Sequence, residues 1–207
     1  MVLAISSGLI VAIVVIAIVA LLAFVLVGMY NSLVQKRNRA ENAWAQVDVQ
    51  LKRRHDLIPN LVETVKGYAA HERGTFDEVT QARTAAQQAQ GPQAQGAAEG
   101  LLTQALGRLF AVAENYPQLR ATENFQQLQA QLSETEQNIA IARQVYNDTV
   151  LTYDNALETV PSSIIAGIFN FRPREYFQAD EGDRAVPQVS FDRNTPPPAA
   201  PSPPPAS

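Results

Sequence analysis

The 207-residue chain has no cysteine. Disulfides, thiol nucleophiles and thiolate metal sites are therefore excluded, as is the lipidated cysteine of a bacterial lipoprotein. Histidine is almost as scarce: His55 and His71 stand far apart with no clustered carboxylates, so no metal site is expected. His71-Glu72 lacks the second histidine of a zinc-protease helix. Basic excess is missing too. With a formal net charge of −4 the chain has no concentrated cationic surface, which argues against a nucleic-acid partner. No serine sits in a nucleophile elbow, and the glycines of 91–100 are not followed by the Lys-Ser/Thr of a phosphate loop. Strand-type alternation is lacking except at Val186–Phe191. These absences leave no catalytic constellation and no cofactor site, and the expectation is a protein that is not an enzyme.

What the chain does have is a long apolar run. Gly8 to Met29 carries no charge, and about 22 residues at ~1.5 Å each span ~33 Å, enough for a hydrocarbon core of ~30 Å. A cleaved signal peptide would have a basic leader and a shorter apolar stretch, whereas Met1–Ser7 contains neither Lys nor Arg. Tyr30 closes the run with the amphipathic ring favoured at a membrane boundary. Lys36, Arg37 and Arg39 follow, with Lys52, Arg53 and Arg54 beyond. The positive-inside rule therefore predicts a single-pass protein of the bacterial inner membrane, N-terminus outside and main domain cytoplasmic. The expected organisation is a short N-terminus (1–7), a transmembrane helix (8–30), a helical domain (31–179) and an extended, Pro-rich disordered tail (180–207).

The helical domain reads as four amphipathic segments. The first has a 3-4 seam of Leu33, Arg37, Ala40, Trp44, Val47, Leu51, Arg54, Ile58, Leu61, Val65 and Tyr68, with Pro59 expected to kink or restart it. Gly67 and Gly74 predict a turn around His71. A second helix is expected over Thr75–Gln90, a loop over Gly91–Gly96, and a third helix near Ala97–Asn115, ended or interrupted by Pro117. The fourth runs from a Thr122 N-cap through Phe125, Leu132, Ile139, Tyr146 and Tyr153 to Pro161. Helices one and four are each about 37 residues, or ~55 Å. The fold class is all-α: an antiparallel up-and-down four-helix bundle with coiled-coil-like seams on a transmembrane stalk.

Several ordered blocks carry a family resemblance. Asn31-Ser-Leu-Val-Gln-Lys-Arg-Asn38, Leu51-Lys-Arg-Arg-His-Asp-Leu-Ile-Pro-Asn-Leu-Val-Glu-Thr-Val-Lys-Gly-Tyr68, Thr122-Glu-Asn-Phe125, Thr135-Glu136, Ala142-Arg-Gln-Val-Tyr-Asn147 and Phe171-Arg-Pro-Arg-Glu-Tyr-Phe177 resemble the LemA family. The resemblance covers nearly everything between anchor and tail. It implies a single-pass bacterial membrane protein with a four-helix bundle and no established enzymatic activity. Family members are often encoded near an HtpX-type protease or a TPM-domain protein, which points towards envelope stress or membrane-protein quality control.

Charges on the seams are the remaining candidates. If Thr159 lies level with Asn31, equal rise sets Arg54 opposite Glu136, Asp48 opposite Arg143, and Arg37 near Asp154. These pairs would fix the register of helices one and four; the alternative is exposed surface ions worth little. Helix four returns to the membrane, so Ile164, Ile165, Ile168, Phe169, Phe171, Arg172 and Arg174 should emerge beside Tyr30, Lys36 and Arg39. That segment either lies in the lipid interface or folds back on the base of the bundle. His55 opens His-Asp-Leu-Ile-Pro, similar to the phosphoacceptor box of histidine kinases. The proline comes one residue early and no ATP-binding domain is in sight, so His55 is expected on a solvated face beside Lys52, Arg53 and Arg54. Three functions follow in order: a scaffold or adaptor binding membrane or cytoplasmic proteins, a lipid-surface-binding or membrane-remodelling protein, and a phosphorelay component through His55. Homo-oligomerisation fits the first, because long helices with residual apolar faces self-associate. Val186–Phe191 would suit strand addition to a partner.

Overall fold

A computed structural model describes residues 7–177. The expectations for the first few residues, for 180–207 as a disordered tail, and for Val186–Phe191 as a strand fall outside them. Six helices follow in order: α1 (Ser7–Lys66), α2 (Arg73–Gln88), α3 (Pro92–Glu114), the single-turn α4 (Pro117–Arg120), α5 (Glu123–Glu158) and α6 (Ser162–Ile168). Residues 171–177 follow without regular structure, and no strand occurs among the described residues.

The 60-residue helix α1 has two unlike halves. Gly8 to Gly28 is exposed on every side, and this is the stretch long and apolar enough to cross a membrane. From Leu33 the apolar side chains fall on one stripe, and Leu33, Ala40, Val47, Leu51, Ile58, Leu61 and Val65 are buried. No loop separates the halves.

Of the two outcomes expected at Pro59, a kink or a restart, the restart does not occur: α1 is one helix from Ser7 to Lys66. A proline lacks the N–H that would bond the carbonyl four residues back, here that of His55. Arg83 of α2 supplies the missing donor: its Nε–H donates to the His55 carbonyl at 2.7 Å. The helix continues because a neighbouring side chain replaces the lost bond.

The expected loop over 91–96 is also corrected. Only Gly91 is irregular, with φ +84°, a left-handed geometry that favours glycine. Pro92 occupies the first turn of α3, where its fixed φ suits a helix and its missing N–H costs nothing. Gln95 and Gly96, expected in the loop, are helical and buried. Thr122 stands at the N-cap of α5 but does not cap it; its hydroxyl donates to the Leu119 carbonyl at 2.7 Å.

Residues 31–66 of α1 and the 36 residues of α5 match in length at about 54 Å and run antiparallel side by side. The α2–α3 hairpin lies across the membrane-distal part of this pair. Three apolar clusters stack along the column. The distal one joins α1, α2, α3, α4 and the start of α5 around Ile58, Leu61, Leu102, Leu109 and Phe125. The middle one joins α1 and α5 around Val47, Leu51, Ile139 and Tyr146, with Phe177 filling the place a third helix would take. The basal one packs Ile165 and Ala166 of α6 on Leu33. Each fully buried Leu, Ile or Phe contributes about 1.5–3 kcal/mol.

Residues 171–177 are fastened to α5 by side chain to backbone bonds. Tyr153 and Tyr146 donate their hydroxyls to the carbonyls of Arg172 (3.0 Å) and Glu175 (2.7 Å). Burial raises the pKa of both phenols, which keeps them protonated donors. The Asn147 amide accepts from the Phe177 N–H at 2.9 Å and donates to its carbonyl at 3.0 Å.

Candidate functional site

The most concentrated chemistry lies between the distal and middle clusters, where Arg54 and His55 follow each other on α1. Both are buried, at 2% and 5% exposed. Arg54 Nη1 donates to Glu99 Oε2 at 2.7 Å, while Nη2 lies 2.5 Å from Glu136 Oε1 and donates to Thr103 Oγ1 at 2.9 Å. His55 Nε2 donates to Glu99 Oε1 at 2.7 Å. Gln95 Nε2 donates to the same oxygen at 3.0 Å and to the Ala86 carbonyl at 3.0 Å. Thr103 Oγ1 also donates to the Glu99 carbonyl at 3.0 Å. One guanidinium thus joins α1, α3 and α5, and one carboxylate gathers donors from α1 and α3.

The electrostatics follow from burial. Glu99 is 4% exposed, and desolvation alone would raise its pKa. The hydrogen bond from His55, then the Arg54 charge, with smaller help from the His55 charge and the Gln95 amide, outweighs it and holds the carboxyl below its ordinary range. An ionised Glu99 only accepts, so the proton of the His55 bond belongs to Nε2. Arg54 Nε finds no acceptor among the described residues, a desolvated donor that the node tolerates. Glu136, with its side chain 45% exposed, is the solvent end of the node.

The expected pairs meet this geometry unevenly. Arg54 and Glu136 are opposite each other, and Trp44 lies 5.2 Å from Tyr146 between ring centroids, at the same register. Asp48 is exposed, and the Arg143 guanidinium lies 4.4 Å from the Phe177 ring centroid. Arg37 is exposed rather than on a buried seam, and sits 5.6 Å from the Phe171 ring centroid. Asp154 accepts instead from the Arg174 backbone N–H at 3.3 Å, and the Arg174 guanidinium pairs with Glu41. His55 is not on a solvated face: α1 turns it inward onto Glu99. Sequence reasoning missed Glu99, Gln95, Thr103 and Arg83. Gln95, Glu99 and Thr103 recur every fourth residue of α3, so they form a polar stripe, readable only once α3 is known to start at Pro92.

At the other end of the column, the segment expected near the membrane is divided. Ile165 is buried against the bundle base, a correction to its place in the interface. Ile164, Ile168 and Phe169 face outward, exposed by 59%, 69% and 55%. Tyr30 of α1 packs against this foot, 4.7 Å from Phe169 and 5.7 Å from Phe171 between centroids. Lys36 is half-buried, and Arg39 and Arg172 are exposed.

Comparison with known proteins agrees with this architecture. Magnetosome protein MamQ 2 of Paramagnetospirillum magneticum is 28% identical over 195 residues, covering 81% of this chain and 72% of the relative. Magnetosome protein MamQ of Magnetospirillum gryphiswaldense is 28% identical over 205 residues, covering 84% and 75%. Protein LemA of Metamycoplasma hominis is 24% identical over 172 residues, covering 83% and 78%. The LemA family model matches residues 43–191, which takes in the node, the last part of α1, all of α5 and the segment fastened to α5. With its apolar N-terminal helix and helical column, this is a membrane-associated helical protein, and the chain belongs to the LemA family.

Proposed function

We propose that this protein is a non-catalytic, membrane-anchored scaffold of the bacterial inner membrane that holds protein partners against its helical column. The observation that carries the reading is the continuity of α1: one helix of 60 residues is both the apolar span and a core element of the bundle. A helix transmits orientation where a flexible linker would lose it. The column therefore stands off the membrane at a set angle, with about 54 Å of helix beyond the boundary.

The flank of the α1–α5 pair supports partner binding. Val49, Ile141 and Val145 are exposed by 62%, 61% and 44%. They line a groove of about 480 Å³ together with Ala45 and Ala142 and the amides Gln46, Gln50 and Asn138. Small residues between larger apolar ones suit the close approach of another helix. The basic residues after the span favour a cytoplasmic column. The similarity to proteins named for the magnetosome supports service in a membrane-associated assembly.

The test uses the full chain in its native membrane. A photo-crosslinking side chain at Val49 or Ile141 should give discrete protein adducts, and Ile141→Ser should weaken those formed from Val49. Adducts to lipid alone, or none, would overturn the scaffold reading. Because the chain has no cysteine, Asn42→Cys is a clean reporter of side. An impermeant maleimide should not reach it in intact cells.

A further inference from the structure

We propose that the outward face of α6, together with the last turn of the apolar span, is seated in the bilayer and holds an acyl chain of an anionic phospholipid. The inference rests on reading residues 8–30 as membrane-spanning.

The helix α6 has two apolar faces. Ile165 and Ala166, 3% and 5% exposed, satisfy the inner one by packing on Leu33. A segment that merely covered the bundle base would turn polar side chains outward. Here the outer face is Ile164, Ile168 and Phe169, all more than half exposed. They do not form a flat patch. With Leu26, Val27 and Tyr30 they enclose a cleft of about 400 Å³, within the size range of sites that hold small apolar ligands.

The position of the cleft names its occupant. Leu26 and Val27 belong to the apolar run, itself exposed on all sides, so whatever surrounds the span also reaches the cleft. For a span, that surrounding is lipid. Tyr30 marks the boundary, and its contacts with Phe169 and Phe171 hold α6 at that level. Arg37, reaching over Phe171, continues the ladder one ring further from the hydrocarbon. Lys36, Arg37 and Arg39 lie about 9–14 Å beyond Tyr30 by helical rise, just past a head-group layer of about 5–8 Å and within reach of it for long side chains that snorkel back. Arg172 adds a fourth cation, exposed like Arg37 and Arg39. Of the acids nearby, Glu41 is paired with the Arg174 guanidinium, leaving Asp154, whose partner is a neutral backbone N–H, and Glu158 against four cations. The collar is net basic above an apolar cleft, the pattern that retains an anionic phospholipid.

The full chain is reconstituted in vesicles of phosphatidylcholine and phosphatidylglycerol, with bromine on the acyl chains of one or the other. Trp44, the single native tryptophan, lies roughly 21 Å beyond Tyr30 by helical rise and serves as the internal reference. Ile168→Trp adds a reporter at an exposed position, and Phe169→Trp repeats the measurement should the first variant fold poorly. The added emission should fall roughly twofold or more in brominated lipid while that of Trp44 is little changed. The loss should be larger when the anionic lipid carries the bromine. Replacing Lys36, Arg37 and Arg172 together with Gln should abolish that preference but keep the quenching. Unquenched added tryptophan in a carbonate-resistant membrane pellet would overturn the proposal while leaving the anchor reading intact. A chain missing from that pellet would overturn both. Equal quenching by both lipids would overturn the head-group half.

Discussion

Replacing Glu99 by Gln changes one atom, yet it should be among the most damaging single substitutions in the bundle. Both carboxylate oxygens of Glu99 accept: Oε2 from Arg54, Oε1 from His55 and Gln95. Gln offers one acceptor, and whichever way it turns, its NH₂ faces a donor. Arg54, 2% exposed, then keeps only one carboxylate, the half-exposed Glu136, beside Thr103. Removing one partner of a buried pair costs about 3–5 kcal/mol. Glu136→Gln removes the solvent end of the same node and should cost about 1 kcal/mol or less. For a chain of this size, these convert to a fall in Tm of roughly 6–20 °C and below about 4 °C respectively. The assay is thermal unfolding of the full chain in detergent or nanodiscs by far-UV circular dichroism, with a double-mutant cycle between Arg54 and each acid. Coupling should be several-fold larger to Glu99 than to Glu136. Equal shifts for the two Gln variants, or a Glu99→Gln cost below about 1 kcal/mol, would refute the asymmetry.

The same carboxyl sets an acid limit. Its pKa is depressed on folding, so its contribution is present above the unfolded value of about 4.3 and is lost as pH falls through the lower folded value. Melting of the wild type between pH 5 and 2 should steepen at the acid end, and Glu99→Gln should flatten that limb. Arg83→Met should strand the His55 carbonyl at a cost of about 1–3 kcal/mol. Adding Pro59→Ala, which restores an N–H at an exposed position, should recover part of that cost in the same melts. Asn147→Leu removes both bonds to the Phe177 backbone, about 1–3 kcal/mol locally. Hydrogen exchange should then show the Phe177 amide losing protection while the core of α5 keeps its own.

The elements most legible in the sequence are those specified by periodicity. The uncharged run and the 3-4 stripes of α1 and α5 need only helical geometry, and equal rise was enough to set Arg54 opposite Glu136. The same rule gives level along the axis but not which way each side chain faces, so Arg37 is exposed and sits by the Phe171 ring. Residues 91–96 were misread for a different reason. Gly-Pro breaks a helix when entered from its N-terminal side and starts one when it stands first. Pro59 shows a third limit, since its repair by Arg83 is a tertiary contact that no local pattern encodes. The polar stripe of α3 was hidden behind the misplaced helix start. Residues 171–177 carry no periodicity, yet their donors and acceptors were present in order: Tyr146, Asn147 and Tyr153 on α5 match the carbonyls and N–H groups of a chain running back along it.

The location of the node bears on why polar groups are retained in the core at all. A buried Arg–Glu pair adds little net stability compared with apolar side chains of the same volume. It does discriminate between alignments. The distal cluster is built largely from Leu, Val and Ala, which can interdigitate at more than one register. A one-turn slip of the α2–α3 hairpin along α1 would carry Glu99 about 5.4 Å away from Arg54 and His55, leaving the guanidinium and the carboxylate buried apart. That penalty rises within a single helical turn, whereas the apolar contacts would be largely replaced by equivalent ones. The node therefore acts as the pin that sets the hairpin on a column whose other end is set by the membrane. The proposed scaffold role would need that property, because binding faces stay at a fixed height only if both ends of the column are held.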